Sequence, residues 1–547
     1  MAPAHESPTQ CPKTVSADII IVGGGFGGCY ALHSLRQAGY QVKLIEAGSD
    51  LGGVWHFNSY PGARVDSEVP LYQLSVPEAA RSFNFTERFP DHIELRRYFA
   101  HMSKELDLHK DAIFNTRVIN ATYHHSSTRW VLKTDNGIEA TAQYAIFATG
   151  TTNKPYIPSF SGLDNFKGTV LHPCRWPSEL DLRKKKVGIV GQGASGLQIL
   201  QELAKEDAEI TVFLRNPPTA LPMAQRPITV AEAEEQKNMY QTLFYHAKNK
   251  NEAGYAYNGP RAGYFDSTLE ERERFYADLW RRGSYSILTS NFPEHTYIKE
   301  ANAELYQYWA KTVRARITDP VKRDIMAPLE QFQWIGTKRP NLEMDYYEMI
   351  DRPNVKLVNL KQDPIRSFTP SGVTTGGLEG DIDHELDIVI MATGYDSVTG
   401  SLYEMNIIDK DGIKLQDRWA NGIQTYLGMF APGLPNAICI YGPQAPSGLA
   451  NGPPFLEMQV DWVVRFLVNL EKESKSTFEV KPDVAKAYVQ RNLEAYSQSL
   501  AKDTPSWWNG SNIPGKVKEP LFWTLGLQAW RMETEEALED CSRFDLR

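Results

Sequence analysis

The sequence predicts an α/β fold with two Rossmann-like dinucleotide-binding domains, both discontinuous, and a helical insertion. Two glycine-rich turns, beginning at Gly23 and Gly191, each follow a short apolar run and precede a helical stretch. The chain has 547 residues, too many for a single hydrophobic core, so two or three domains are expected. The repeated unit and the length together predict this architecture.

The first turn has the order of elements that a dinucleotide requires. The β-branched run Ala17–Val22 is typical of a buried strand and leads into the GxGxxG spacing of Gly23, Gly25 and Gly28. The first two glycines permit a tight turn and close approach of a pyrophosphate, and the third lets the helix pack on the strand. A second strand ends at Glu46, where an acid can accept a hydrogen bond from a ribose 2′-OH. A glycine-rich turn without a ligand is the alternative.

The same pattern recurs after the apolar run Lys186–Val190, but its second strand ends in a cation. The turn residues are Gly191, Gln192, Gly193, Ala194, Ser195 and Gly196. The next strand ends at Arg215, followed by Asn216, and an arginine can bind a 2′-phosphate that an acid would repel. The first turn is therefore interpreted as an FAD site and the second as an NADPH site. A surface arginine without a ligand is the alternative for Arg215.

Two apolar strands ending in Ala-Thr-Gly, at 144–150 and 387–394, follow the two nucleotide units, where the chain would pass from one domain to the other. Two capping-box patterns, at Thr229 and Thr268, indicate helices in a region without a nucleotide motif. The predicted domains are an FAD-binding domain of residues 1–150 and 386–547, an NADPH-binding domain of residues 151–226 and 332–385, and a helical insertion of residues 227–331 that shapes the substrate cleft.

Composition argues against several classes of partner. The formal net charge of −9 disfavours nucleic acid, and no apolar stretch reaches the ~18–20 residues of a membrane span. The five cysteines form no CxxC pair, so neither a disulfide framework nor a metal site is expected, and a flavin disulfide reductase is disfavoured. The polar N-terminal segment lacks the apolar core of a signal peptide. We expect a cytoplasmic monomer or weak homo-oligomer that binds small molecules.

Two further segments carry a family resemblance. Residues Phe166 to Trp176 fit the pattern FxGxxxHxxxW, and Gly52 to Asp66 fit [AG]GxWxxxx[FY]P[GM]xxxD at every fixed position. Both are fingerprints of the Baeyer–Villiger monooxygenases, and most of residues 17–520 resembles that family. Trp176 favours this family over related heteroatom-oxidising enzymes, which usually carry Tyr or Phe there. His172 is interpreted as a packing or hydrogen-bonding residue of the linker rather than as a general base.

The resemblance implies a catalytic pair, Arg339 and Asp66. Arg339 would lie over the flavin and stabilise the anions of ketone oxidation, because a guanidinium stays charged at any working pH. Asp66 would orient and balance it. Lys338 and Trp507 would contact NADPH, as would Arg339. The predicted flavin-side residues, besides Asp66, are Val54, Trp55, Tyr72 and Val118.

By this resemblance the chain is an FAD- and NADPH-dependent Baeyer–Villiger monooxygenase. NADPH would reduce FAD, O2 would form a C4a-peroxyflavin, and attack on a ketone would give an ester or lactone and water. The loop from Gly442 to Asn451 resembles the family loop that borders the substrate, but it does not identify the ketone. The family usually has Thr where this chain has Asn216, which leaves the strictness of the NADPH preference open. The alternatives are a heteroatom monooxygenase acting on sulfides or amines and a catalytically silent protein that senses NADPH or docks partners; Asp66 and Arg339 disfavour both.

Overall fold

The structure, a computed structural model, describes residues 13–377 and 380–547. Two mostly parallel sheets each carry one glycine-rich turn, and a helical region interrupts the second unit. The predicted α/β class with two Rossmann-like units is confirmed. Within the described ranges no helix is both long and apolar enough to cross a bilayer. Cys29, Cys174, Cys439 and Cys541 are free thiols, and Cys11 lies outside the described residues.

The first sheet is built around the long strand Lys13–Val22. Parallel neighbours flank it, Val42–Ile45 on one side and Ile138–Phe147 on the other. Alternate side chains of the central strand, such as Ile19 and Ile20, face two separate hydrophobic cores. The other strands of this eight-stranded sheet are Ala112–Ile113, Val118–His124, Arg129–Thr134, Ile407–Ile408 and Ala437–Cys439. Two of its strands therefore come from the C-terminal half, as expected for a discontinuous domain.

The second sheet has five parallel strands, which are Thr169–Leu171, Lys186–Val190, Glu209–Leu214, Val355–Asn359 and Ile388–Met391. One of them corrects a predicted boundary. The FAD-binding domain was expected to resume at residue 386, yet Ile388–Met391 pairs with Lys186–Val190 and Thr169–Leu171. This strand lies between two others of the sheet, so the second unit includes residues up to at least Met391. The remaining domain bounds stay a prediction.

Three smaller sheets complete the strands. They are a meander of Ile365–Thr369, Gly372–Gly377 and Gly380–Glu385, a parallel pair of Leu221–Pro222 and Leu342–Glu343, and an antiparallel pair of Phe478–Val480 and Phe544–Leu546. The parallel pair matters for the site, because one of its strands precedes the helical region and the other follows it. The chain segment that carries Arg339 enters this pair directly.

Outside the helical region, the helices are Phe26–Gln37, Val54–Phe57, Pro77–Ala80, His92–Glu105, Ala194–Leu203, Tyr346–Ile350, Gly400–Glu404, Leu415–Arg418, Gly452–Lys472, Pro482–Gln498 and Leu527–Glu539. The first of these packs closely on the long helix Gly452–Lys472. A Cβ at Gly27 would lie 2.9 Å from Ile440 Cγ2 and 3.1 Å from Leu456 Cδ2. The glycine therefore permits the close contact that holds the first turn in place.

The region predicted as an insertion is mainly helical, apart from the stretch 250–268, which has no helix. Its helices are Val230–Lys237, Tyr240–Asn249, Leu269–Arg282, Ser286–Thr289, Glu294–Tyr297, Lys299–Arg314 and Pro320–Met326. Thr268 and Glu271 form the predicted capping box in full. At Thr229 only half of the box forms: its hydroxyl accepts from the Glu232 N–H, but the Glu232 carboxylate turns to Arg226 instead. Arg226 binds both oxygens of the Glu232 carboxylate in a bidentate ion pair, which turns the carboxylate away from the Thr229 N–H.

The two glycine-rich turns have the same construction. A Cβ at Gly23 would lie 2.5 Å from the Ala148 carbonyl oxygen, and one at Gly191 would lie 2.5 Å from the Ala392 carbonyl oxygen. Each turn therefore touches the Ala-Thr-Gly end of a strand in its own sheet. In both turns a Cβ on the third glycine would overlap the carbonyl oxygen of the first. This confirms that the third glycine is needed for packing of the helix on the strand.

Candidate active site

Arg339 and Asp66, far apart in the sequence, form a bidentate ion pair. Arg339 Nε and Nη2 donate to Asp66 Oδ2 and Oδ1, each at 2.7 Å. The arginine side chain is 17% exposed and the aspartate side chain 34%, so the pair is half-buried. Two parallel N–H···O bonds hold a guanidinium in one orientation. The two residues predicted to be catalytic therefore meet in the structure.

The loop that carries Arg339 is held from two sides. Asn302, fully buried in the helical insertion, donates to the Ile335 carbonyl oxygen at 2.9 Å and accepts from the Ile335 N–H at 3.0 Å. Thr337 Oγ1 lies 2.7 Å from Thr504 Oγ1, which belongs to the C-terminal segment. Because both contacts precede Arg339 by only a few residues, they fix the backbone from which its side chain extends.

Arg339 keeps part of its donor capacity. A guanidinium has five N–H groups, of which two bind Asp66 and one, on Nη1, donates to the Gly448 carbonyl oxygen at 3.1 Å. Among the described residues no partner takes the remaining hydrogen on each Nη. Gly448 lies in the loop predicted to border the substrate. The two free N–H groups are therefore available to a ligand in the cleft.

The charges of the pair stabilise each other. Burial by itself raises the pKa of Asp66, but the attraction of Arg339 and the hydrogen bonds from Arg339 and Tyr285 outweigh it, and the net pKa is lowered. Burial likewise lowers the pKa of Arg339, and the charge of Asp66 more than offsets this, so the arginine pKa is raised. The site therefore contains a permanent cation with its counterion beside it.

The first turn offers an anion site beside an aromatic wall. Helix Phe26–Gln37 begins after Gly25 with no side chain capping it and no acid in its first turn, so its N–H groups are available to a phosphate. Trp55 Nε1 donates to the Tyr72 hydroxyl at 3.0 Å, and the Tyr72 ring meets Phe26 edge-on. A Cβ at Gly53 would lie 2.8 Å from Gly25 Cα, so the second fingerprint lies directly against the turn. These residues fit a flavin dinucleotide.

Glu46 is buried and already has partners. Its Oε2 accepts from the Gly24 N–H at 2.5 Å and its Oε1 from the Gly48 N–H at 2.6 Å. The bond to a ribose hydroxyl stays a prediction, which the remaining lone pairs of the carboxylate permit. Val54 is 40% exposed, whereas the Val118 side chain is buried in the core of the first sheet. A cofactor contact of Val118 would therefore involve its backbone.

The second turn is open at its phosphate end. Helix Ala194–Leu203 begins after Gly193, again with no capping side chain and no acid in its first turn. No described atom would lie within 4 Å of a Cβ at Gly193, so a ligand can approach the backbone there. Gln192 is fixed by the Tyr346 hydroxyl, which donates to its Oε1 at 2.7 Å. This geometry fits a nicotinamide dinucleotide.

The second fingerprint connects the two nucleotide units. Ser195 Oγ lies 3.2 Å from the Tyr60 hydroxyl, which donates to Gln198 Oε1 at 2.9 Å. A Cβ at Gly62 would lie 2.6 Å from the Gln198 carbonyl oxygen, so the glycine permits close contact with helix Ala194–Leu203. The segment that ends at Asp66 therefore touches the first turn at Gly53 and the second at Tyr60.

Arg215 and Asn216 are exposed, and Arg215 lines a surface cavity of about 650 Å³. No hydrogen bond or ion pair joins the Arg215 side chain to any residue in the described ranges. Lys361 also lines the cavity, with its ammonium 5.9 Å from the centroid of the Phe332 ring. Two cations and an aromatic ring at the ends of adjacent parallel strands suit a phosphorylated adenosine. Lys361 was not anticipated, because its strand follows the insertion.

Lys338 and Trp507 lie on the two segments that the Thr337–Thr504 bond joins. The Lys338 side chain has no hydrogen-bond or ion-pair partner in the part of the chain that the structure describes, and burial lowers its pKa. Trp507 is half-buried, whereas the neighbouring Trp508 is buried against Phe522. Their contacts with NADPH stay predictions. A half-buried cation without a counterion suits a site for an anionic ligand.

The first fingerprint has a structural role. His172 is buried, and its Nε2 lies 3.0 Å from the Gly394 carbonyl oxygen, so it ties the linker to the end of the second Ala-Thr-Gly strand. Burial lowers the pKa of His172. Trp176 is half-buried and packs on the main core. Neither residue contacts the Arg339–Asp66 pair.

Sequence reasoning missed Tyr285, whose hydroxyl lies 2.7 Å from Asp66 Oδ2. It comes from the insertion, and no motif or spacing marks it among the many aromatic residues there. The glycines and polar residues of both turns were predicted from the sequence because they lie within one short motif. Among the described residues no group of three or more His, Cys, Asp or Glu side chains could hold a metal ion.

Comparisons with known proteins agree with this site. The family described as flavin-binding monooxygenase-like matches residues 16–220. Cyclopentanone 1,2-monooxygenase of a Comamonas species is 35% identical, with 95% of this chain and 94% of that protein covered. A Baeyer–Villiger monooxygenase of Pseudooceanicola batsensis is 34% identical, with 96% and 95% covered.

A solved structure extends the similarity to the whole fold. The crystal structure of OTEMO in complex with FAD and NADP superimposes with a TM-score of 0.91 at 31% identity, covering 98% of this chain and all of that chain. Relatives of this identity over nearly their full length establish common descent, and both fingerprints, both turns and the Arg339–Asp66 pair are present here. The chain therefore belongs to the Baeyer–Villiger monooxygenase family of flavin-binding monooxygenases.

Proposed function

We propose that this enzyme uses FAD, NADPH and O2 to insert one oxygen atom beside the carbonyl of a ketone, giving an ester or lactone, water and NADP⁺. One observation carries the proposal: a half-buried arginine, fixed by a bidentate aspartate, has two N–H groups without an acceptor among the described residues. Reduced FAD supplies the oxygen-activating chemistry when it is bound. The protein supplies binding, orientation and charge.

In this proposal the first turn holds FAD and the second holds NADPH. The uncapped helix after Gly25 would bind the FAD pyrophosphate, with Trp55 and Tyr72 beside the ring system. The uncapped helix after Gly193 would bind the NADPH pyrophosphate, with Arg215 at the 2′-phosphate. Lys338 and Trp507 would complete the NADPH site. The second fingerprint, which touches both turns, brings the two cofactors to one cleft.

Arg339 would act on the ketone oxygen. As oxygen adds to the carbonyl carbon, negative charge develops on that oxygen, and the two free N–H groups can stabilise it. A guanidinium suits this role because it stays protonated while charge builds up. Asp66 would keep the guanidinium in one orientation, since its two oxygens bind Nε and Nη2 together. The enzyme would thus stabilise the transition state without moving a proton at this atom.

The test starts from the purified yellow protein, reduced anaerobically with NADPH and then mixed with O2. Cyclic, aliphatic and aryl ketones are added in parallel, and products are identified by mass spectrometry. We expect at least one ketone to give a product 16 mass units heavier, with little H2O2 released. Release of H2O2 with every ketone, together with oxidation of an added sulfide or amine, would favour a heteroatom monooxygenase instead. Failure of NADPH to reduce the flavin would contradict the oxygenase proposal itself.

The oligomeric state belongs to the same proposal. We propose a monomer or a weak homo-oligomer, because the catalytic pair and both turns come from one chain. Sedimentation velocity across a range of concentrations tests this, and a single concentration-independent dimer would contradict it. The identity of the ketone follows from the product panel.

A further inference from the structure

Tyr285 joins the helical insertion to the catalytic pair. Its hydroxyl oxygen lies 2.7 Å from Asp66 Oδ2 and 3.0 Å from the Pro340 carbonyl oxygen. Its ring lies under the Arg339 guanidinium, whose central carbon is 4.8 Å from the ring centroid. Tyr285 is fully buried, so these contacts are made away from bulk water. One side chain therefore touches the aspartate, the arginine and the backbone that follows the arginine.

The backbone before Tyr285 has an uncommon conformation. Gly283 and Ser284 both have positive φ, at +69° and +65°. The Ser284 N–H donates to the Pro222 carbonyl oxygen at 2.8 Å, and its hydroxyl is hydrogen-bonded to the Tyr257 hydroxyl. A non-glycine residue in this region costs free energy and persists only where its surroundings fix it, commonly near functional sites. This turn immediately precedes Tyr285, whose side chain reaches the Arg339–Asp66 pair.

The Tyr285 hydroxyl has one hydrogen and two acceptors within reach. A hydrogen bond to an ionised carboxylate is about twice as strong as one to a neutral carbonyl, so Asp66 takes the hydrogen. The Asp66 carboxylate then accepts three bonds, two from Arg339 and one from Tyr285. With three donors around it, the carboxylate is held in one plane. The Arg339 guanidinium is held as well, because two of its N–H groups bind the same carboxylate.

We infer that Tyr285 is a positioning residue: it fixes Asp66 and, through Asp66, the direction of the two free N–H groups of Arg339. This inference rests on the proposed function, because that direction matters only if the groups meet the reacting ketone oxygen. Misplacement of a catalytic group by ~1 Å can cost ~10²-fold in rate. The helical insertion would thus shape the cleft and also align the catalytic arginine.

The first experiment compares the Tyr285→Phe variant with the wild type as flavin-loaded protein. The ring under Arg339 is retained, and one hydrogen bond to a charged group is lost, which predicts a ~10–100-fold lower kcat for ester formation. The KM for the ketone should change little, and more of the NADPH consumed should end as H2O2. Tyr98→Phe is the matched control, since Tyr98 is also fully buried and its hydroxyl accepts from the Leu74 N–H away from the pair.

A double-mutant cycle separates positioning from packing. If Tyr285 acts through Asp66, then Tyr285→Phe should change kcat by less than about twofold in an Asp66→Asn background. If Tyr285 only packs the site, the two losses should multiply. Flavin content and melting temperature of all four proteins are measured in parallel, so that a loss of folding is seen directly. Multiplying losses would overturn the inference.

The pH profile gives a second readout. The Asp66 carboxylate contacts Arg339 and the Tyr285 hydroxyl. The hydroxyls of Tyr60, Tyr72, Tyr255 and Tyr441 are near enough for the charge of Asp66 to raise their pKa values. Loss of the hydrogen bond from Tyr285 should raise the pKa of Asp66, because that bond stabilises the ionised form. The acidic limb of kcat should then move to higher pH in Tyr285→Phe and stay in place in Tyr98→Phe.

The failure of this inference and that of the proposed function are distinguishable in the same assay. If the wild type oxidises NADPH but makes no ester from any ketone, the proposed function is wrong. If the wild type makes ester and Tyr285→Phe matches Tyr98→Phe in kcat, coupling and pH profile, the positioning role is wrong. A selective loss in Tyr285→Phe supports both.

Discussion

The two nucleotide units share one construction but differ at the end of their second strands. In the first unit, Glu46 is buried, and the N–H groups of Gly24 and Gly48 occupy both of its oxygens. In the second unit, Arg215 is exposed beside a cavity of about 650 Å³, with no partner for its side chain in the described ranges. The acid of the first unit is therefore held in place by the backbone of its own turn. The cation of the second unit has no such partner among the described residues and is open to a ligand.

The proposed catalytic pair lies near the contact between the two units. Asp66 belongs to the fingerprint that touches both turns, and Arg339 follows the helical insertion that interrupts the second unit. The difference between the units teaches how one fold serves two purposes. The first unit offers a ligand a buried acid fixed by backbone N–H groups, and the second offers an exposed cation. In our proposal the chemistry takes place between them.

The largest loss of ester formation is expected when Arg339 is changed. Arg339→Lys keeps a cation but loses the planar fork that binds Asp66 on one side and donates on the other. Ester formation should fall by ~10²–10³, as for removal of one oxyanion donor. Flavin content and the rate of flavin reduction by NADPH should stay within a few-fold, and both are followed by absorbance. An unchanged rate of ester formation would remove Arg339 from the mechanism.

A matched pair of glycine substitutions tests the assignment of the two turns. A methyl group at Gly28 or at Gly196 would overlap the carbonyl oxygen of the first glycine in its own turn. Overpacking of this kind costs ~1–3 kcal/mol or more. Gly28→Ala should yield protein with little flavin, whereas Gly196→Ala should stay yellow and bind NADPH at least ~10-fold more weakly. The reverse result would exchange the two cofactor assignments.

Local patterns predicted both turns, both fingerprints and the pairing of Asp66 with Arg339, because each depends on residues close in sequence or on a known family segment. The boundary at residue 385 was wrong because the pairing of strand Ile388–Met391 depends on strands some 200 residues earlier. Tyr285 and Asn302 were missed for a related reason. Their partners, Asp66 and Ile335, are brought to them only by the folded insertion.

The exposed cation of the second unit should decide the choice between NADPH and NADH. Arg215→Ala removes a charge-assisted bond to the 2′-phosphate, so the Kd for NADPH should rise ~10–100-fold while that for NADH changes little. Arg465→Ala serves as the control. It removes an exposed arginine that pairs with Glu535 outside the second unit. Equal losses for both nucleotides would mean that Arg215 does not face the 2′-phosphate. A Lys361→Ala variant then shows whether that cation carries the preference.

The smallest expected effect is a change in the Kd for NADPH at alkaline pH. Burial lowers the pKa of Lys338, and no described residue stabilises its charge, so it should lose its proton at a lower pH than an ordinary lysine. As the pH rises through that pKa, an attraction for the NADPH phosphate is lost, and the Kd for NADPH should rise a few-fold on the alkaline side. Lys338→Met should bind NADPH more weakly at neutral pH and show no further alkaline weakening from this group. Titration of NADPH binding by flavin fluorescence across the range compares the two. A wild-type Kd that stays flat into the range of ordinary lysines would mean that Lys338 does not contact the nucleotide, because the arginines Arg215 and Arg339 stay charged throughout.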